Sequence, residues 1–319
     1  MNVSDQNQPN WERQVIEKIA LEGIAEQRRH RRWGIFFKLL GFAYVTLLLF
    51  LAVDWGEWGG SADIADGKKT TALVDLAGVI QAKGDANAEN VISALQAAFK
   101  SKHTAGVVLR INSPGGSPVQ AGMINDEIRR LRVKHPEVPL YVVVEDVCAS
   151  GGYYIAAAAD KIYVDKASII GSIGVLMDGF GFTGSMDKLG VERRLLTAGQ
   201  SKGFLDPFSP QNAEHKAHAQ NMLDDIHRQF IDVVRKGRGK RLKETPEMFS
   251  GLMWTGARSI ELGLADGYGT LESVARDVLK AEDIRDYTVR SNFAEKFAKR
   301  FGANMAEGAA SVVTRFSLR

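Results

Sequence analysis

From Ala72 onward, short runs of Val, Leu and Ile alternate with stretches whose apolar residues recur at helical spacing. ALVDLAGVI reads as a first strand, followed by a helix carrying Val91, Leu95 and Phe99. GVVLRI (Gly106 to Ile111) reads as a second strand, and after a loop of Ser, Pro and Gly comes a helix carrying Ile124, Ile128 and Leu131. LYVVVE (Leu140 to Glu145) reads as a third strand, with a glycine-containing turn and the short apolar helix YYIAAAA behind it. Strand, loop and helix repeated three times predict an α/β domain with parallel strands, whose functional loops lie at the carboxyl ends of those strands. Further on, ERRLLT reads as strand-like, and a charged helix over about Asn212 to Arg235 is expected to bury Met222, Ile226, Phe230 and Val233. Arg235 to Lys243 is strongly basic and reads as a solvated helix end.

Upstream the pattern changes. Trp33 to Val53 is an apolar run broken only by Lys38, long enough at 1.5 Å per residue to span a hydrocarbon layer of about 30 Å. It reads as a transmembrane signal anchor. Arg28, Arg29, Arg31 and Arg32 precede it and Asp54, Glu57, Asp63 and Asp66 follow, which puts the N-terminus in the cytoplasm and the rest of the chain across the membrane. The expected organisation is a cytoplasmic tail (1–32), the anchor (33–53), a Gly- and Asp-rich linker (54–70), a catalytic domain (71–290) and a C-terminal amphipathic segment (291–319) with Phe293, Phe297 and Phe301 at helical spacing.

Composition narrows the chemistry. With 45% hydrophobic residues among 319, the chain can bury an ordinary core, and a single Cys excludes an intramolecular disulfide framework and a Cys-rich zinc site. A net charge of +3 gives no argument for nucleic acid. Two loops at strand ends stand out. Asn112-Ser113-Pro114-Gly115-Gly116-Ser117 can bring backbone N–H groups close to a ligand, or can be a tight turn with Ser117 as helix cap. In Cys148-Ala149-Ser150-Gly151-Gly152, Ser150 sits where a strand turns into a helix, either as a cap or as an exposed nucleophile with the Gly151 N–H beside it. Cys148 reads as a buried hydrophobe. The histidines offer no persuasive base: His30 lies before the anchor, His103 and His135 in polar connections, and His215, His218 and His227 on one charged helix, where the first two read as solvated rather than metal-binding. Lys202, in TAGQSKG, is a candidate lysine base among many lysines.

Taken together and in this order, VDLAGVI, LRINSPGGS, VCASGGYYIAAAADKIYV, IIGSIGV, TAGQSKGFLDPFSP and RKGRG resemble the bacterial signal peptide peptidase A family of serine peptidases, family S49, with the SohB proteases as a close branch. The resemblance covers about residues 72 to 280 and one copy of each motif, as in the short, single-domain form. It implies a crotonase- and Clp-peptidase-like α/β domain, with Ser150 as nucleophile, Lys202 as general base, and an oxyanion hole from Gly115, Gly116 and Gly151. It further implies no cofactor or metal, a ring-like homo-oligomer whose dyad is shared between protomers, signal-peptide remnants as substrates, and a place in the bacterial inner membrane with the catalytic domain on the periplasmic side. Ser172 in IIGSIGV is a further candidate for orienting the lysine. Two other readings stand beside this one: a crotonase-like acyl-CoA enzyme, and a non-catalytic membrane scaffold.

Overall fold

The computed structural model describes residues 11–52 and 68–290, with the side chains of residues 28–47, Lys18 and Glu26 in the first stretch. These residues fall into two compact units, α1 in one and residues 68–290 in the other. The first ten residues, most of the expected linker and the segment 291–319 lie outside the described residues.

α1 (Trp11–Ala52) is one unbroken helix of 42 residues, because no Pro separates the charged first half from the apolar second half. Its described apolar side chains, among them Trp33, Phe36, Phe42 and Leu47, are exposed. The expected transmembrane anchor is not borne out: among the described residues no helix is long and apolar enough to cross a membrane. Val53, the end of the expected anchor, lies outside the described residues.

The second unit is a mostly parallel sheet with helices packed on it. Its elements are β1 (Thr70–Ala77), α2 (Ala88–Lys100), β2 (Thr104–Ser113), α3 (Pro118–Lys134), β3 (Leu140–Ala149), α4 (Gly151–Ala156), β4 (Lys161–Val164), β5 (Ile169–Gly171), α5 (Thr183–Leu189), α6 (Ala213–Arg238), β6 (Met253–Thr255), α7 (Gly256–Glu261), β7 (Gly267–Tyr268) and β8 (Ile284–Asp286). The three expected strand–helix repeats are the core of this sheet, whose order is β6-β5-β3-β2-β1-β8 with β4 and β7 branching from β3. All pairings are parallel except β5 with β6.

The central strands read as nearly continuous apolar runs because both faces are covered. Val74, Leu76, Leu109, Ile111, Val142 and Val144 point into the main core with Leu95, Ile124 and Ile128 of α2 and α3. The alternate positions Leu73, Val108 and Val143 face a smaller cluster with Tyr163, Leu271 and Val274. Each fully buried side chain of this size contributes about 1.5–3 kcal/mol relative to exposure.

β3 divides its pairing: Tyr141 to Val143 bind β4, and Val147 to Ala149 bind β5. The division coincides with a bulge opposite Asn112, where the β2–β3 register shifts between Ile111 and Ser113. The Asn112 carboxamide fills the break, accepting from the Val147 N–H at 3.3 Å and donating to Asp146 at 3.0 Å. Here the end of β3 leaves the line of the sheet and delivers Ser150 beside the β2 loop.

Three local expectations change. ERRLLT forms no strand; Leu195 and Leu196 are exposed, and the segment finds no ladder partner among the described residues. On α6 the buried positions are Ala219, Phe230, Val234 and Arg238, and Val233 packs against the core partly buried, whereas Met222 is exposed. The basic run after Arg235 is not merely solvated: the fully buried Arg238 guanidinium binds Asp266 at 2.8 Å, Arg241 binds the same carboxylate at 3.2 Å, and Arg235 pairs with Glu244 at 2.8 Å.

Candidate active site

Ser150 follows the last residue of β3 and precedes α4, with φ 50° and ψ −123°. A positive φ is uncommon for serine and marks a sharp strand-to-helix turn of the kind that lifts a nucleophile clear of the backbone. Its N–H is held by the Gly171 carbonyl at 2.8 Å, and its carbonyl accepts from the Tyr154 N–H at 2.9 Å. The side chain makes no capping hydrogen bond to α4, so of the two sequence readings the helix cap is excluded. Gly152 allows α4 to begin against β2: a Cβ there would lie 3.1 Å from the Ser113 carbonyl oxygen.

The β2 loop comes to the same place. Ser117 does cap α3, accepting from the Gln120 N–H with Pro118 in the first turn, so the helix-cap reading of that serine holds. The glycines before it nevertheless bring backbone against the Ser150 turn. Gly115 (φ 101°) has room for no Cβ, which would sit 2.7 Å from the Ser150 Cβ and 2.8 Å from the Gly151 nitrogen. Gly116 (φ 147°) would drive a Cβ to 2.1 Å from the Ile80 carbonyl oxygen. Among the described residues the N–H groups of Gly116 and Gly151 donate to nothing, whereas the Gly115 N–H is donated to the Ser113 hydroxyl at 3.1 Å. Two N–H groups beside a serine oxygen can receive the charge that develops on a carbonyl oxygen when that serine attacks it.

A cavity of about 530 Å³ opens over this turn, lined by Gly116, Pro118, Ala121, Ser150, Gly151, Tyr154, Ser172, Gly174, Val175, Leu176, Ile226, Gln229, Phe230, Ser250 and Gly251. Its walls mix the apolar Val175, Leu176, Ile226 and Phe230 with the polar Ser172, Gln229 and Ser250. Tyr154 and Phe230 form one wall, their ring centroids 5.2 Å apart. Burial raises the Tyr154 phenol pKa, with the nearby Asp126 acting in the same direction. Ser172, at φ 50°, also lines the cavity, its N–H held by the Leu252 carbonyl at 2.7 Å. His227 on α6 reaches the Ile173 carbonyl at 3.2 Å and so ties that stretch to the helix.

Lys202 is elsewhere. It sits exposed on a turn within the segment between β5 and α6 and does not line the cavity. That segment also exposes Leu176, Phe180, Leu189 and Leu196, the last at 96%. No histidine lines the cavity; His215 and His218 instead pack their rings on Phe204, at 5.4 and 5.7 Å. Cys148 is fully buried, and desolvation pushes its thiol well above the ordinary range, consistent with a packing role. The sequence pattern does not single out Ser113 or His227; a serine inside a glycine loop and a histidine on a charged helix carry no signal until the chain is folded.

Comparison with known proteins agrees with this architecture. The profile of peptidase family S49 matches residues 132–285. A protein of Enterococcus faecium named as a signal peptide peptidase SppA is 30% identical over 236 residues, covering 71% of this chain and 68% of that one. The chain belongs to peptidase family S49. A SohB protease of Haemophilus influenzae is 29% identical to this S49 chain over 257 residues, covering 80% and 70% of the two. A Brucella abortus protein named as the Na(+)/H(+) antiporter NhaA is 48% identical over 182 residues, 57% of the S49 chain. The match spans only 25% of that Brucella protein.

Proposed function

We propose that this chain is a serine endopeptidase in which Ser150 attacks the peptide carbonyl and Lys202, delivered by a neighbouring copy of the same chain, takes its proton. The observation that carries the reading is Ser150 itself: a strained positive φ, an uncapped hydroxyl, and two unused N–H groups on one side of the cavity. In the first step the Ser150 Oγ bonds to the carbonyl carbon, its proton passes to neutral Lys202, and the oxyanion is received by the Gly116 and Gly151 N–H groups. Collapse expels the amine with a proton returned by the lysine, and water then hydrolyses the acyl-enzyme by the same route. A lysine acts as base only where burial favours its neutral form. Covering the exposed apolar segment around Lys202 with a second copy supports both that burial and the approach to Ser150, and repetition of one head-to-tail contact closes a ring.

The apolar side chains in the cavity walls, and the signal peptide peptidase name carried by the Enterococcus relative, support apolar peptides such as signal-peptide remnants as substrates. The exposed apolar second half of α1, next to Arg28, Arg29, Arg31 and Arg32, supports work at a membrane. Ser150→Ala and Lys202→Ala are each expected to lower hydrolysis of a fluorogenic apolar peptide by at least about 10³-fold. A fully active Ser150→Ala variant would overturn the assignment.

A further inference from the structure

Gly115 and Gly116 carry no side chains to fix their orientation, and their φ values of 101° and 147° are open to glycine alone. The direction of the Gly116 N–H must therefore be set by what binds the neighbouring backbone. The carbonyl of Gly115 accepts the Ile80 N–H at 2.8 Å, and the carbonyl of Ile80 accepts the Ser117 N–H at 2.8 Å. In a trans peptide the C=O and N–H point in opposite directions, so holding the Gly115 oxygen on Ile80 turns the Gly116 N–H away from it. On that side lies the nucleophile turn: the Gly116 nitrogen would be 3.3 Å from a Cβ at Gly151, and Gly116, Ser150 and Gly151 share the cavity.

One side chain completes the clamp. Ser113 is fully buried; its hydroxyl donates to the Gly78 carbonyl at 2.6 Å and accepts the Gly115 N–H at 3.1 Å. It thereby binds the turn after β1 to the loop after β2 and takes up the N–H that would otherwise compete with Gly116. We infer that Ser113 is a positioning residue of the oxyanion site, whose buried hydroxyl fixes the Gly115–Gly116 backbone so that the Gly116 N–H faces the carbonyl attacked by Ser150. The inference rests on the serine-peptidase reading above and extends it to a residue that touches neither substrate nor nucleophile.

A residue that aims an oxyanion donor affects the tetrahedral state and leaves the ground state alone, which separates it from a residue that merely stabilises the fold. The test uses the assembled full chain and a peptide aldehyde, to whose carbon Ser150 Oγ adds while the serine proton passes to the lysine, forming a tetrahedral hemiacetal alkoxide whose negative oxygen sits in the oxyanion site. The matching peptide alcohol binds the same cavity without forming an adduct. For Ser113→Ala the expected result is a kcat lowered by about 10- to 100-fold, a KM within about threefold of the parent, and aldehyde affinity weakened by about the same factor as kcat while alcohol affinity is retained. Ser113→Cys, which is slightly larger but keeps a weaker hydrogen-bonding group, should fall between Ala and the parent, and it decides the matter if Ser113→Ala does not fold. Equal weakening of aldehyde and alcohol, or an unchanged kcat in a folded variant, would overturn the positioning role. Ser150→Ala run in parallel separates the two levels: if it remains active, the serine-peptidase reading fails and the inference falls with it. If Ser150→Ala is dead and the Ser113 variants show no selective loss, the inference alone fails.

Discussion

At the scale of single residues, the site is set by where side chains are absent as much as by where they are present. Gly116→Ala would force an alanine into a glycine-only φ and press its Cβ on the Ile80 carbonyl. Urea unfolding should show it destabilised by at least about 2 kcal/mol, with peptide hydrolysis lost. Gly122, in the interior of α3, is the contrasting case, because a Cβ added there would meet nothing within 4 Å. Gly122→Ala should raise stability by about 0.5–1 kcal/mol and leave hydrolysis unchanged. The glycine loops were legible in the sequence because φ requirements leave glycine in the chain as a visible mark. The role of Ser150 was not decidable there, since a cap and a nucleophile occupy the same strand-to-helix position and differ only in where the hydroxyl points. Lys202 was legible only through family resemblance; in the folded chain it lies on an exposed turn away from the cavity.

At the scale of elements, the first three strands and the helices between them follow from apolar patterning, because both sheet faces are buried and α2 and α3 each pack one stripe. Patterning failed where tertiary pairing decides. ERRLLT has strand composition but no partner strand among the described residues, and the basic residues after Arg235 look solvated although Arg238 closes a buried ion pair with Asp266. That pair ties the end of α6 to the β4–β7 edge, since Asp266 also accepts the Ile162 N–H at 2.7 Å. Burial alone would raise the Asp266 pKa, but the Arg238 hydrogen bond and charge, the Ile162 N–H and Arg241 together hold it below the ordinary value. A carboxylate depressed on folding contributes stability above its unfolded pKa and loses it as pH falls through the folded one. Stability should therefore decline as pH drops below about 4, and Asp266→Asn should flatten that decline in denaturation measured across pH. Arg238→Met, which leaves the carboxylate half-buried without its main partner, should cost about 3–5 kcal/mol at neutral pH.

At the scale of the whole molecule, one copy of the chain holds the proposed nucleophile, the two N–H groups proposed as oxyanion donors and a cavity over them, and carries its proposed base outside that cavity on a segment rich in exposed apolar side chains. Leu196 is exposed on the same segment as Lys202, together with Leu176, Phe180 and Leu189, and an apolar patch of that kind marks a surface to be covered. Leu196→Asp should thus leave the stability of the single chain within about 0.5 kcal/mol of the parent while abolishing assembly, as read by sedimentation, and hydrolysis with it. The most direct test of a base supplied by a neighbour is complementation. Ser150→Ala and Lys202→Ala chains, each inert alone, are dissociated, mixed in equal amounts, reassembled and assayed on a fluorogenic apolar peptide. The shared site predicts that the mixture regains a substantial part of parental activity, because some cavities then pair an intact Ser150 with an intact Lys202 from the adjacent copy. A reassembled mixture as inert as either variant alone would contradict it.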